Sequence, residues 1–97
     1  MTQRPTIYKF RLYVADDALN AAQAQANLRS ICRDMLHGRH EVEVVNVFEQ
    51  PKRALADGVF LTPTLVKLAP FPERVILGTL SDRQTVLEAL GLEMPDT

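Results

Sequence analysis

The 97-residue sequence contains little cysteine, glycine or net charge, and each scarcity excludes a class of function. Its one cysteine, Cys32, cannot form an internal disulfide, which fits a reducing compartment. The 4 glycines are scattered and form no phosphate-binding loop. Because 11 basic residues nearly balance 12 acidic ones and no basic stripe appears, neither nucleic acid nor an anionic membrane is expected as a partner.

Long apolar runs are missing as well. No segment approaches the ~18 residues that a membrane-spanning helix needs. Residues 1–5 lack the apolar core of a signal peptide, so we expect a cytoplasmic protein. Apolar residues make up 46% of the chain and charged residues 24%, which is typical of a globular protein, and the length predicts a single domain over residues 1–97.

The N-terminal half has the pattern of a strand, a helix and a second strand. Residues 7–14 alternate, with Tyr8, Phe10, Leu12 and Val14 on one dry face. Residues 18–37 carry apolar side chains at three- and four-residue steps, which predicts a long amphipathic helix ended by Gly38 in a left-handed cap. Residues 41–48 have valines on both faces, so this strand is predicted to be central and covered on both sides.

The C-terminal half adds two helices and two strands. Pro51 and Gly58 fit the start and the end of a short helix. Strands are predicted over residues 64–68 and 74–77, joined by a proline-containing turn that makes them antiparallel. Ser81 and Gln84 form a capping box for a last helix, which Gly91 ends.

The resulting order, β-α-β-α-β-β-α, predicts an α/β fold of thioredoxin-like type. The first two strands are joined through a helix and should be parallel. The last two strands form a hairpin, so the sheet is mixed, with helices on both faces. No repeat, low-complexity segment or domain boundary is apparent.

Thiol chemistry is excluded by the residues at the junction of the first strand and the first helix. A thioredoxin-like oxidoreductase needs a cysteine there, because the helix N-terminus lowers the pKa of the thiol. The junction instead reads Ala15-Asp16-Asp17-Ala18. Cys32 lies on the apolar stripe of the long helix, which favours a buried side chain. An enzyme of glutaredoxin or glutathione-transferase type stays as an alternative that lacks its nucleophile.

No metal, cofactor or catalytic residue is expected either. Cys32, His37 and His40 are zinc-ligand types, but Gly38 interrupts the helix between the histidines and no fourth ligand is near. Four carboxylates could supply acid or base groups, yet no spacing singles out a pair, and a solvated surface explains each: Asp16, Asp17, Asp82 and Glu88.

The step from Thr62 to Pro63 is more specific. In thioredoxin-like folds the proline at this place is cis and exposes the neighbouring backbone for binding. About one X-Pro bond in twenty is cis in folded proteins, so the surrounding pattern carries the prediction. Isomers of such a bond interconvert over tens to hundreds of seconds.

Several segments together resemble the KaiB circadian-clock family. The similarity is collinear from residue 8 to residue 92 and covers nearly the whole chain. The segments that carry it are residues 8–15, Thr62-Pro63-Thr64-Leu65 with Lys67, Pro70-Phe71-Pro72 with Arg74, and Gly78 with Leu80-Ser81-Asp82-Arg83.

This resemblance implies a protein that changes its fold. In KaiB-like proteins the N-terminal half, here residues 1–50, keeps its β-α-β structure. The other half, residues 51–97, alternates between an oligomeric ground state, a dimer or tetramer, and the thioredoxin-like arrangement. The thioredoxin-like monomer binds the ATPase KaiC and, in cyanobacteria, captures KaiA and competes with the kinase SasA.

The resemblance also implies roles for individual residues. Four charged residues correspond to partner contacts: Lys67, Arg74, Asp82 and Arg83. Four further positions are implied in the fold switch, with the proline as its slow gate: Tyr8, Pro63, Ala89 and Gly91.

The chain departs from the cyanobacterial pattern in two helices. Gln23 and Ala26 stand where clock members carry basic residues, which weighs against KaiA as a partner and favours a KaiB–KaiC pair with a timer or stress output. Ala89 and Gly91 replace a glycine and an aspartate. Because Ala favours a helix over Gly by ~1 kcal/mol, we expect Ala89 to favour the thioredoxin-like state. A sensory module acting with a histidine kinase is the alternative function.

Overall fold

The computed structural model describes residues 6–16 and 18–92, and within them the predicted element order is confirmed. Their bounds are β1 (Tyr8–Val14), α1 (Leu19–Leu36), β2 (His40–Asn46), α2 (Pro51–Ala56), β3 (Thr64–Ala69), β4 (Arg74–Leu77) and α3 (Arg83–Leu90). In this part of the chain, no helix combines the length and the apolar character needed to cross a membrane.

The strands form one mixed sheet in the order β2-β1-β3-β4. Strand β1 is parallel to β2, with Val14 opposite Asn46, and antiparallel to β3, with Tyr13 opposite Thr64. Strands β3 and β4 are antiparallel, as the hairpin prediction requires. The parallel pair needs the long crossover that α1 supplies. The predicted thioredoxin-like plan is therefore confirmed.

Helices α1 and α3 pack on one face of the sheet. Phe10, Leu12 and Val14 of β1 are buried there, as the alternation of that strand predicts. The apolar stripe of α1 and the apolar side of α3 complete this core: Ala21, Ala24, Leu28, Ile31, Cys32, Leu36, Val86, Leu87 and Leu90. Each large apolar side chain buried in this way stabilises the fold by about 1.5–3 kcal/mol.

The opposite face of the sheet has a smaller core beneath α2. Tyr13 of β1 is completely buried there, against Val45, Ala54, Val59 and Val66. Strand β1 therefore has two covered faces, and the expectation that only the face of Phe10 and Leu12 is dry was incomplete.

The prediction that the second strand is central is wrong. Strand β2 lies at the edge of the sheet, and Val42 and Val44 are 41% and 45% exposed. Only Val45 is fully buried, beneath α2. A run of valines indicates an extended backbone, but it does not say how many neighbours a strand has. The strands with two paired neighbours and two covered faces are β1 and β3.

The ends of the helices agree with the sequence in part. Helix α3 ends at Gly91, whose φ of 73° and N–H bond to the Glu88 carbonyl confirm the predicted cap. Helix α1 ends at His37, which is itself left-handed at φ 49°, before Gly38. The predicted capping box on Ser81 is wrong, because Asp82 is the N-cap and accepts from the Thr85 N–H at 3.3 Å.

Candidate protein-interaction surface

Two of the four predicted contact residues lie side by side. Lys67 of β3 is opposite Arg74 of β4. Arg74 is exposed, whereas Lys67 is only 5% exposed and its Nζ lies 5.9 Å from the centroid of the Tyr8 ring. Loss of solvent, and secondarily the charge of Arg74, lower the pKa of Lys67. Arg74 is thus the residue of this pair that can reach a partner directly.

Tyr8 joins the two halves of the chain at this place. Its N–H donates to the Arg39 carbonyl at 3.0 Å, and its ring centroid lies 6.1 Å from that of Phe10. The contact with Lys67 reaches across to the half predicted to rearrange. The contact with Lys67 is the one through which Tyr8 would affect a fold switch. That role stays a prediction.

Asp82 and Arg83 are occupied within the molecule. Asp82 caps α3 and also accepts from the Thr85 hydroxyl at 2.8 Å. The Arg83 guanidinium donates to Ser30 Oγ and to Asp34 Oδ2, each at 2.9 Å, and thereby ties α3 to α1. This guanidinium is the main cause that lowers the pKa of Asp34. The predicted partner contacts through both residues remain untested.

The remaining predicted positions have clear places in the fold. The Thr62–Pro63 bond is cis, and the buried Pro63 accepts at its carbonyl from the Gly78 N–H at 2.9 Å. Ala89 is half-buried in the last turn of α3, next to the left-handed Gly91. The gating role of Pro63 and the bias attributed to Ala89 stay predictions.

Three loops meet at one end of the sheet. The carboxyl ends of β1 and β2 lie beside the amino end of β3, because β1 runs parallel to β2 and antiparallel to β3. The Asn46 side chain links two of these loops, since its Oδ1 accepts from the Asp16 N–H at 3.3 Å and from the Phe48 N–H at 2.9 Å. Asp17 lies outside the described residues.

The connections that meet at this end of the sheet, with the first residue of α1, expose four large apolar side chains. Leu19 begins α1, Phe48 follows β2, and Phe60 and Leu61 precede the cis proline. We call these four residues the apolar rim. Phe60 is 84% exposed, and the others are also largely exposed. Sequence reasoning missed the rim, although the Phe60-Leu61 pair directly before Thr62-Pro63 was a usable signal.

The rim is an exposed apolar surface beside polar groups that join two of these loops. Large contiguous apolar patches are one mark of an interaction site. The polar groups that join the loops are Asp16 and Asn46. Cys32 lies elsewhere, in the core, where burial raises the pKa of its thiol to about 11. Among the residues with described positions, no group of three or more His, Cys, Asp or Glu could hold a metal ion.

A charged network lies on the α2 face of the sheet. The Arg11 guanidinium donates to Glu43 at 3.0 Å and to Asp57 at 2.9 Å. Arg53 of α2 binds Glu43 through two nitrogens at 2.8 and 2.7 Å. The Tyr13 hydroxyl contacts the Asp57 carboxylate and the Arg53 carbonyl. These five residues, here named the arginine network, connect β1 and β2 to α2 and the residue that follows it.

The network shifts the pKa values of its carboxyl groups. Arg53 first, and then Arg11, lower the pKa of Glu43 to about 2. The hydroxyl of Tyr13 is the largest cause that lowers the pKa of Asp57. Both carboxyl groups are therefore charged near neutral pH, and this attachment of α2 is ionic.

The chain matches known sequences over most of its length. A family model for the KaiB domain matches residues 11–92. A circadian clock protein KaiB3 of Synechocystis is 39% identical over 84 residues, which cover 87% of this chain and 80% of that protein. A circadian clock oscillator protein KaiB of Prochlorococcus marinus is 41% identical over 92 residues, or 95% of this chain and 76% of that protein.

Solved structures with a similar fold include thioredoxins and the N-terminal domain of SasA. The N-terminal domain of SasA from Synechococcus elongatus superimposes with a TM-score of 0.75 at 20% identity, covering 100% of this chain and 95% of that one. The thioredoxin Deadhead of Drosophila melanogaster gives 0.68 at 14% identity, with 88% and 79% covered. Similarity at this identity shows a shared fold, while the sequence matches over residues 11–92 decide the family. The chain belongs to the KaiB family of circadian clock proteins.

Proposed function

We propose that this protein is a regulatory subunit without catalytic activity, which binds a KaiC-like ATPase in the cytoplasm and modulates its phosphorylation or ATPase cycle. The KaiB match over residues 11–92 carries the proposal. The residues at the β1–α1 junction support it, because Asp16 stands where a thiol enzyme would need its nucleophile.

The contact surface in this proposal combines the apolar rim with exposed charges. Phe60 and Leu61 would supply the buried centre of an interface, where aromatic and aliphatic anchors contribute most of the affinity. Arg74 is available for a charged contact, and Arg83 would have to exchange its bonds to Ser30 and Asp34. Lys67 and Asp82 would act mainly by holding the binding-competent structure.

We further propose that residues 51–97 change fold while residues 1–50 do not. The ground state would be a homodimer or homotetramer, and the thioredoxin-like form described above would be the one that binds. A rearrangement has to break the arginine network and the contact of Lys67 with Tyr8. Pro63 is the proposed slow gate, and Ala89 with Gly91 would bias the balance toward the helical form.

Size-exclusion chromatography with a KaiC-like hexamer tests the central proposal. Co-elution in the presence of ATP is expected for the natural protein. Phe60→Asp should abolish it. Leu55→Asp should not, because Leu55 is also largely exposed, at 67%, but lies on α2 outside the apolar rim. Failure to co-elute under every nucleotide condition would overturn the proposal. An equal loss of co-elution in both variants would show that the apolar rim is not part of the contact surface.

KaiA and a histidine kinase give further outcomes of the same experiment. The neutral side chains of Gln23 and Ala26 lead us to expect no stable complex with added KaiA. The likeness to the SasA domain, with its TM-score of 0.75, favours as second candidate a sensory module that works with a histidine kinase. Binding to a kinase from the same genome, without binding to a KaiC-like hexamer, would decide for that second function and for a stress or timer output.

A further inference from the structure

A groove runs between α1 and the exposed edge strand β2. It has a volume of about 390 Å³. Val42 and Val44 lie opposite Phe10 and Leu12 in the parallel register, on the face that α1 covers. They are nevertheless 41% and 45% exposed, because the helix packs over β1 and leaves the edge of the sheet open. With Leu28 of α1 they form an apolar wall.

A second group of residues in the groove lining is polar and carries positive charge. It consists of Arg29, Gln25 and His40, and no Asp or Glu of residues 6–16 or 18–92 joins them. Arg29 is exposed and forms no ion pair or hydrogen bond with the described residues, unlike the six other arginines described. The imidazole of His40 has a buried Nδ1 without a hydrogen-bond partner in the same part of the chain. Buried polar atoms are normally paired, so this one calls for an explanation, and a bound ligand would supply one.

We propose that this groove binds a small amphiphilic carboxylate with an unbranched aliphatic chain. The chain would lie along Val42, Val44 and Leu28, and the carboxylate would accept two hydrogen bonds from the Arg29 guanidinium, whose planar fork matches it. Gln25 and His40 supply further polar contacts to the same end of the ligand. The volume lies within the range of about 300–1,000 Å³ that small-molecule sites occupy.

The composition of the groove favours this ligand over others. A neutral hydrocarbon would leave Arg29 and His40 without a polar contact. A free inorganic anion would leave Val42 and Val44 exposed to water. Cys32 also borders the groove, and because an aliphatic carboxylate offers a thiol no electrophile, this contact is noncovalent. The site lies away from the apolar rim, so it does not depend on the proposed KaiC-like partner.

Octanoate, 1-octanol and acetate, each below any micelle-forming concentration, are suitable probes for solution NMR of the full chain. Octanoate is expected to shift the amide and methyl signals of Leu28, Val42 and Val44 saturably. Octanol should bind at least about tenfold more weakly, since it lacks the charge-assisted bonds, and acetate should not saturate. No saturable shift with octanoate, or an equal affinity for octanol, would overturn the proposal.

Two matched variants complete the test. Arg29→Gln should lower the affinity for octanoate to that for octanol, whereas Arg33→Gln, one turn further on the same helix and outside the groove, should leave it unchanged. Val44→Ser should weaken both ligands together, because it shortens the apolar wall at an exposed position. An affinity for octanoate that is unchanged in Arg29→Gln, or octanoate shifts that centre on Phe60 and Leu61, would overturn the site.

Discussion

The two faces of the sheet are attached to their helices by different forces. On the face of α1 and α3, buried aliphatic side chains form a continuous core in which Leu12, Leu36 and Leu65 have no exposed surface. On the face of α2, five buried apolar residues form a smaller core, and the arginine network adds the remaining contacts. The first attachment depends mainly on packing, and the second depends on a smaller core together with charge.

This difference bears on which part of the molecule can be released. Exposed ion pairs are weakened by salt and by pH, whereas a packed core responds to neither directly. Helix α2 has six residues, too few to be stable alone, so its position depends on the network and on the small core beneath it. If residues 51–97 change fold, α2 is the helix that solution conditions can release most readily.

Packing on the α1 and α3 face should give the largest effect. Leu36→Ala removes a side chain with no exposed surface and is expected to lower the free energy of unfolding by about 2–5 kcal/mol. Urea unfolding followed by circular dichroism measures it. Leu55→Ala on the exposed side of α2 is the control and should change stability by less than about 0.5 kcal/mol. Comparable losses in the two variants would contradict the assigned core.

The buried hydroxyl of the α2 face should matter next. Tyr13→Phe removes the contacts with Asp57 and with the Arg53 carbonyl and should cost about 1–2 kcal/mol. Tyr8→Phe is the matched control, because the Tyr8 hydroxyl has no hydrogen bond to any described residue. Urea unfolding measures both variants. A smaller loss of stability for Tyr13→Phe than for Tyr8→Phe would show that the Tyr13 hydroxyl does not help to attach α2.

The N-cap of α3 should contribute about as much as one surface hydrogen bond. Asp82→Ala is expected to cost about 1 kcal/mol, since it leaves the Thr85 N–H without its partner. Ser81→Ala should be nearly neutral, because the structure moves the cap from Ser81 to the next residue. Thermal unfolding of the two variants compares them directly, and the reverse order would restore the capping box that the sequence predicts.

The pH dependence of the network should be the smallest effect. Glu43 has a pKa lowered to about 2, whereas an unfolded glutamate has a pKa of ~4.3. Its ionised side chain therefore contributes its full stabilisation of the fold above pH ~4.3. This stabilisation should disappear as the pH falls from about 4.3 toward 2. The stability difference between the natural protein and Glu43→Gln, measured by urea unfolding at several pH values, should therefore shrink in acid. A difference that is constant from pH 7 to pH 3 would show that the charge of Glu43 does not help to attach α2.

Local signals predicted the local structure well. The β4 bounds, the start of α2 at Pro51 and the end of α3 at Gly91 follow from backbone preferences of single residues, and all are confirmed. The burial of Cys32 follows from helical periodicity. The edge position of β2 did not follow, because the valines of a strand do not specify which strands pair with it.

The candidate surface was predicted less completely than the fold. The resemblance marked Lys67 and Arg83 as charges for a partner, but one is buried over an aromatic ring and the other is bound to Asp34. The arginine network joins Arg11 to Glu43 and to Asp57, which are 32 and 46 positions away, and the apolar rim gathers residues of separate loops. Pairings of this kind depend on the sheet register, which no local pattern contains.

Pattern and motif were sufficient for the order of the elements and for the family, because residues 62–83 carried the resemblance to the KaiB family. These conclusions depend on which side chains are present. Tertiary structure was needed to place β2 at the edge, to set Arg29 beside an open groove with no partner among the described residues, and to bring the arginine network to α2. These features depend on distances between remote segments, and only the packed sheet brings such segments within reach of a hydrogen bond.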